Sequence, residues 1–326
     1  MNQMLQKSIL VNSMEYKHIP VLLDETIQGL NINPEGIYVD GTLGRGGHSS
    51  EVLKRLTSGH LYCFDQDKQA IDESYLRLNQ ISSSFTLIHD NFKNMVARLK
   101  EYGVEKVDGI MLDLGVSSAQ FDESDRGFSY RYDARLDMRM NQQSHLSAYD
   151  IVNTYSLSSL TKVIREYGEE KFAYQIAKEI VKRREIKPLE TTFELVDAIK
   201  SALPSKVLSK AGHPAKQTFQ ALRIEVNDEL NVLKETLKTI TSLLKEGGRL
   251  CVITFNSLED RIVKEHFNKL TKQESVSRNL PSKEVELDFI IVNKKVITAN
   301  EEELNRNNRA KSAKLRIIER KKDYEK

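Results

Sequence analysis

The sequence predicts an α/β domain built on a parallel sheet and interrupted by a helical insertion. Three observations lead there. From Ile37 onward, short apolar or β-branched runs alternate with stretches of helical period, the pattern of repeated βαβ units. The alternation stops after Asp113 and resumes near Phe219. Between those points there is no strand-like run, only helix patterns.

Taken in order, strands are expected at 37–40, 61–65, 85–89 and 107–113, with amphipathic helices at 51–56 and 93–102, the latter closed by Gly103. In the insertion, Phe172, Ile176 and Ile180, then Leu195, Ile199 and Leu203, mark two helices ended by Pro188 and Pro204. Phe219, Leu222, Val226, Leu230, Leu233, Leu237, Ile240 and Leu244 read as the core stripe of one long helix. It is expected to stop at Gly247-Gly248 before a strand at 249–255. The predicted division is therefore a sheet domain from 15–123 and 220–293, a helical insertion at 124–219 and a basic polar C-terminal tail at 294–326. Residues 1–14 form an extension expected to be disordered.

Composition sets bounds on function. A chain of 326 residues that is 39% hydrophobic and 29% charged is neither collagen-like, mucin-like nor wholly disordered. No apolar run approaches the roughly 20 residues of a membrane span, and the first residues hold only the patch Ile9-Leu10-Val11, so a cytosolic location is expected. Cys63 and Cys251, the two cysteines, sit in strand-like runs and read as buried hydrophobes, with no disulfide framework or metal site. The 49 basic and 47 acidic side chains are spread unevenly: residues 1–125 carry a net −7, 126–219 carry +5, 220–293 carry −1 and the tail from 294 carries +5. Two basic regions around an acidic body suit an anionic macromolecule held against a site for a small cationic ligand; the alternative is that these charges merely solvate surfaces.

The densest chemical signal is Val39-Asp40-Gly41-Thr42-Leu43-Gly44-Arg45-Gly46-Gly47-His48, directly after the first strand. So many glycines suit a backbone approached closely by a ligand or forced to positive φ. The second strand ends in Asp65, placed as a carboxylate that accepts hydrogen bonds from a ribose diol, with neighbouring Asp67 as a surface alternative. Such a loop and acid fit NAD as well as S-adenosylmethionine. A dinucleotide asks for Gly-x-Gly-x-x-Gly around a pyrophosphate, whereas the acidic strand end at Asp40 favours S-adenosylmethionine. The third strand runs into His89-Asp90-Asn91-Phe92, and the fourth into Asp113-Leu114-Gly115-Val116-Ser117-Ser118-Ala119-Gln120, where ligands bind in this architecture. Asp113 has a second reading as a helix cap.

These residues carry a resemblance. The chain resembles the bacterial 16S rRNA cytosine-N4 methyltransferases, the RsmH/MraW family, over nearly everything from 16 to 318. The shared blocks include His18-Ile19-Pro20-Val21-Leu22-Leu23-Asp24-Glu25, Asp40 to His48, Asp113 to Ser118, Arg126-Gly127-Phe128-Ser129, Leu136-Asp137-Met138-Arg139-Met140 and His213-Pro214-Ala215-Lys216. They continue with Thr218-Phe219-Gln220-Ala221-Leu222-Arg223-Ile224, Asn227-Asp228-Glu229-Leu230 and Ser257-Leu258-Glu259-Asp260-Arg261. The resemblance implies a Rossmann-like class I S-adenosylmethionine-dependent methyltransferase domain with an inserted helical domain for substrate recognition. It carries cofactor contacts to Gly46, Gly47, His48, Asp65, Phe92, Asp113 and Gln120, and it implies as substrate a cytosine at the peptidyl site of 16S rRNA in the small ribosomal subunit. Three positions depart from the family pattern: Asn256 in place of His, Ala119 in place of Pro and Lys311 in place of Arg.

Cytosine N4 is a poor nucleophile because its lone pair is delocalised, so positioning and a hydrogen-bond acceptor must assist it. Asp113 is the candidate acceptor, unless it serves the cofactor instead. Asn256, at the tip of the last strand, either orients the target base or caps a helix starting near Ser257. Arg131, Arg135, Arg139, Lys182, Arg183, Arg184 and the tail cations are candidate phosphate contacts or plain surface charge. Methylation at ring carbon C5 would call for a cysteine thiolate, commonly in a Pro-Cys pair, and none is present. Two rival classes remain, an NAD-linked oxidoreductase and an RNA-binding assembly factor that keeps S-adenosylmethionine only as a structural ligand. Monomer and homodimer are both open, and no membrane partner is expected.

Overall fold

The computed structural model describes residues 20–117, 120–121, 124–209, 212–272 and 287–322. The extension 1–14 and the substituted Ala119 lie outside the described residues, as do His18, Ile19 and Ser118 of the blocks quoted above.

Seven strands form one sheet: β1 (Ile37–Asp40), β2 (His60–Asp65), β3 (Phe85–His89), β4 (Val107–Asp113), β5 (Leu244–Thr254), β6 (Phe289–Ile291) and β7 (Lys314–Arg320). Their order is β3-β2-β1-β4-β5-β7-β6, the first five parallel and β7 antiparallel to both neighbours. A sheet covered on both faces needs apolar side chains at consecutive positions. This explains the unbroken run in β2, where Leu61 and Cys63 join one core and Tyr62 and Phe64 the opposite one. The first core is closed by α1 (Leu23–Leu30), α2 (Gly47–Leu53) and α3 (Lys68–Leu78) through Ile27, Leu30, Val52, Leu53, Ile71 and Leu78. The second is closed by α4 (Met95–Glu101) through Met95 and Leu99, together with two later helices. Strand order reverses direction at β1 and β4, which opens a crevice beyond the ends of both strands, next to Asp40 and Asp113.

The insertion supplies α5 (Ala148–Thr154), α6 (Leu157–Gly168), α7 (Ala173–Arg184), α8 (Thr192–Ala202) and α9 (Ser205–Leu208). Its buried side chains, among them Ile151, Leu160, Ile164, Ile176, Ile180, Leu195 and Ile199, form a third core. The long apolar stripe beginning at Phe219 is not one helix. It splits into α10 (Lys216–Asn227) and α11 (Glu229–Ile240) at Asp228, whose φ of 50° is left-handed. Phe219, Leu222 and Val226 pack into the insertion core, whereas Leu233, Leu237 and Ile240 pack on the sheet. A continuous helix could not present both halves of the stripe to different cores. Nor do Gly247-Gly248 end it: the helix stops at Ile240, and the glycine pair lies inside β5, where the register with β4 shifts.

The second correction concerns residues 294–326. Part of this segment is α13 (Glu301–Arg306), and Lys314–Arg320 is the strand β7, inserted between β5 and β6. Leu315, Ile317 and Ile318 are buried, and charges that disguise the strand are paired with a neighbouring helix and with β5. Arg316 and Lys314 donate to Asp260 of α12 (Ser257–Thr271) at 2.8 and 3.2 Å, and Glu319 accepts from Arg249 at 2.7 Å. Among the described residues no helix is long and apolar enough to cross a membrane.

The break at Asp228 can be tested. A left-handed non-glycine residue costs roughly 1–2 kcal/mol, most for β-branched side chains. Asp228→Gly should therefore raise the thermal midpoint slightly and Asp228→Ile should lower stability by about 1–2 kcal/mol. A continuous helix would give the opposite order, because glycine in a helix interior costs about 1 kcal/mol.

Candidate active site

The loop after β1 is built by internal contacts. Asp40 is buried at the strand end, accepting from the Thr42 amide at 3.0 Å and from the Ser49 hydroxyl at 2.6 Å. Thr42 Oγ1 accepts from the Asp113 amide at 2.6 Å, so the ends of β1 and β4 are tied together. Asp65, at the end of β2, takes one amide on each carboxylate oxygen, Gly44 at 2.8 Å and Asp67 at 2.8 Å. Two glycines are required by packing or conformation: a Cβ on Gly47 would lie 2.3 Å from Pro20 Cγ, and Gly46 has φ 71° at the start of α2.

His48 and Asp113 face each other at 3.7 Å, Nδ1 to Oδ2. His48 is buried, and its Nε2 donates to the Val21 carbonyl at 3.0 Å, which leaves an unprotonated Nδ1 toward Asp113. Burial lowers its pKa to about 4, so the ring is neutral. Asp113 keeps 31% of its side-chain surface, toward the open crevice, and Oδ1 has no hydrogen-bond partner among the described residues. Desolvation first, then the charges of Asp40 and Glu259, raise its pKa to about 8. Desolvation likewise raises Asp65 to about 7 and Asp40 to about 6, partly offset by their hydrogen bonds.

A cavity of about 1070 Å³ opens over these groups. Gly47, His48, Asp65, Phe92, Asp113, Gln120 and Asn256 all line it; Gly46 does not, and its role is the backbone turn. Asn256 caps a helix while it lines the cavity. Its side-chain oxygen accepts from the amides of Leu258 and Glu259, both at 3.0 Å, and Glu259 returns the bond to the Asn256 amide, a capping box at the start of α12. The capping alternative is the one adopted.

Asp67 is no surface residue. It is 4% exposed, caps α3, and accepts from Gln120 Nε2 and Arg126 Nη1, both at 2.9 Å. Arg126 continues to the carbonyl of Arg139 at 2.9 Å, and so joins the sheet domain to the insertion. A second buried junction is made by Arg223, which holds Glu229 through two hydrogen bonds of 2.8 and 2.9 Å and lies 3.8 Å from Glu259. Neither junction has a local sequence signal, because the partners are far apart in the chain or separated by a helix break.

The proposed phosphate contacts divide sharply. Arg183 is held by Glu179, Asp197 and Ser201, Arg184 donates to the carbonyls of Val152 and Tyr155, and Arg139 is paired with Asp137. These three serve the insertion's own structure. Lys182 and Arg135 are exposed away from the cavity lining. Arg131 from the insertion, Lys216 at the start of α10, and Arg306, Arg309 and Lys311 from the C-terminal segment line the cavity, together with Arg45, Arg77 and Arg223. Both basic regions thus meet at one rim. Cys63 and Cys251 are buried, their thiol pKa values raised by desolvation, and neither lines the cavity.

The model of the MraW methylase family matches residues 15–321. A ribosomal RNA small subunit methyltransferase H of Exiguobacterium sibiricum is 53% identical over 310 residues, covering 94% of this chain and 99% of that protein. One of Oenococcus oeni is 52% identical with the same coverage. Among solved structures, an rRNA methylase from Streptococcus thermophilus is 14% identical and covers 92% of this chain and 94% of its own, with a TM-score of 0.40, a likeness that transfers no residue's role.

The carboxyl cluster makes stability depend on pH. An acid whose folded pKa is raised favours the folded state fully below its unfolded value near 3.8 and loses that contribution as pH climbs through the folded value. The ligand-free protein should therefore become easier to unfold in urea between about pH 4 and pH 8. Asp113→Asn should flatten the upper part of that slope, near pH 7 to 8; superimposable profiles for the two proteins would mean that Asp113 is already ionised at neutral pH.

Proposed function

Since this chain belongs to the MraW methylase family, we propose that it is an S-adenosylmethionine-dependent methyltransferase that modifies the exocyclic N4 of a cytosine at the peptidyl site of 16S rRNA, in the small ribosomal subunit, and works in the cytoplasm. The observation that carries this reading is the pairing of a carboxyl floor, Asp65 and Asp113, with a rim of Arg131, Lys216, Arg309 and Lys311 in the lining of one cavity, while Asp40 is buried at the end of β1. Such a floor suits a small cation, and the rim suits a polyanion.

The donor fits the residues present. Asp113 Oδ1, buried and without a partner among the described residues, suits a donor or a positive charge. Asp65 has both oxygens oriented by backbone amides, which leaves further lone pairs for ribose hydroxyls, and Phe92 offers an apolar wall. S-adenosylmethionine, when bound, supplies an electrophilic methyl group on a positively charged sulfur. A cation beside Asp113 favours the ionised carboxylate and lowers its pKa from about 8. As the methyl carbon would pass from sulfur to N4, leaving a neutral thioether, that carboxylate would take the proton N4 gives up. His48, neutral and with its Nδ1 3.7 Å away, adds no competing positive charge beside Asp113. At about 1070 Å³ the cavity exceeds the roughly 300–1,000 Å³ of ordinary small-molecule sites, which leaves room for an extruded base beside the donor. The absence of both thiols from the lining supports direct transfer to N4 over attack at C5.

The test is incubation of the protein with unmodified small subunits and labelled S-adenosylmethionine, followed by nucleoside mass spectrometry. N4-methylcytidine is expected; label on C5, on a ribose or nowhere would overturn the assignment. Asp65→Ala should weaken S-adenosylmethionine binding by roughly tenfold to a hundredfold in calorimetry, the worth of one or two hydrogen bonds to a charged group. The double change Cys63→Ser, Cys251→Ser should keep methyl transfer while lowering stability, since two hydroxyls enter apolar cores. A folded, cofactor-binding double variant without turnover would contradict direct transfer.

A further inference from the structure

The insertion side of the cavity carries an aromatic wall that the methyl-transfer chemistry does not use. Tyr130 and His213 stack nearly parallel, with ring centroids 4.1 Å apart and planes 9° apart. Phe121 and Phe219 meet Tyr130 edge-on at 6.4 and 5.7 Å, and the Arg309 guanidinium lies 5.8 Å from the Phe121 centroid. Phe219 is fully in the core at 3% exposure, but Phe121, Tyr130 and His213 are only half-buried and all three line the cavity. The His213 ring is locked twice, by the stack and by Nδ1 accepting from the Ala215 amide at 3.3 Å. That bond requires an unprotonated Nδ1, and desolvation together with the charges of Lys200 and Arg131 lowers the pKa, so the ring is held neutral.

We propose that the Tyr130–His213 stack is a platform against which a base of the RNA substrate stacks at the cavity mouth, its neighbouring phosphates lying near Arg131 and Lys216. The inference rests on the methyltransferase reading above. Its physical basis is that a rigid planar ring pair already fixed in place loses little entropy when a base settles on it, and every base has a face to offer. A neutral ring also separates two tasks: stacking falls to the aromatic wall, and charge to the cations beside it.

The test compares His213→Ala and His213→Phe for binding to small ribosomal subunits across a salt series, with S-adenosylmethionine affinity and thermal unfolding measured in parallel. His213→Ala should lose about tenfold to a hundredfold in subunit affinity, the usual worth of one stacked base. The slope of log affinity against log salt should stay unchanged, because no phosphate contact is removed. His213→Phe should bind subunits within about threefold of the natural protein. S-adenosylmethionine affinity should be untouched in both. Undiminished subunit affinity in His213→Ala, or an equal loss in the Phe variant while it still binds S-adenosylmethionine, would overturn the platform. Should the alanine variant unfold, His213→Leu, which fills the site without a ring, takes its place with the same expected loss. A natural protein that fails to bind or methylate small subunits would instead sink the proposed function, which keeps the two failures apart.

Discussion

Three carboxyl groups crowded into a weakly solvated crevice are the constraint around which this molecule is arranged. Parallel strands that reverse order at β1 and β4 bring Asp40 and Asp113 to adjacent ends, and β2 adds Asp65. Burial opposes their ionisation. The loop relieves two of them: Ser49 and Thr42 serve Asp40, while the amides of Gly44 and Asp67 serve Asp65. Asp113 is left with an unpartnered oxygen beside a neutral His48. Among the described residues no lysine or arginine pairs with Asp113, so a positive charge bound there would favour its ionised form.

Holding a second body over that crevice requires contacts that fix orientation as well as hold surfaces together. The two junctions between the sheet domain and the insertion are both buried ionic networks, Asp67 with Arg126 and Gln120, and Arg223 with Glu229 and Glu259. Such networks contribute little net stability, but they tolerate few alternative geometries, and removing one partner strands a buried charge. Asn227 reinforces the second junction, accepting from the Met140 amide at 2.8 Å and donating to the Met138 carbonyl at 2.8 Å. The sharp turn at Asp228 lets one run of chain serve both cores and so sets the cavity between them.

Net charge by segment marks regions of the chain, not the side chains within them that stay available. Arg183, Arg184 and Arg139 are consumed inside the insertion, and Lys314 and Arg316 inside the sheet edge. From the two basic regions a smaller set lines the cavity: Arg131, Lys216, Arg306, Arg309 and Lys311. A count weighs every cation equally, whereas attraction for a polyanion depends on which of them face it together.

Much of the sheet domain was legible because its signals are local. Short continuous apolar runs located β1 to β4 to within a residue, and the glycine loop with Asp40, Asp65 and Asp113 marked the crevice, since a strand's last residue falls at the sheet's carboxyl edge wherever the strand packs. The family resemblance extended this to Gly47, His48, Phe92 and Gln120, all found in the cavity lining. Tertiary structure alone decided the rest. The stripe from Phe219 to Leu244 has helical period on both sides of Asp228, so only the presence of two cores reveals the break. Strand β7 was hidden by charges whose partners, Asp260 and Arg249, lie 54 to 70 residues away. Asp67 and Asn256 depended likewise on partners chosen in three dimensions: a buried arginine from the insertion turned a seemingly solvated acid into a junction, and a helix start claimed the amide oxygen of a residue at the mouth of the site. Periodicity records which way a side chain faces along its own element, but not what will stand opposite it once the elements pack.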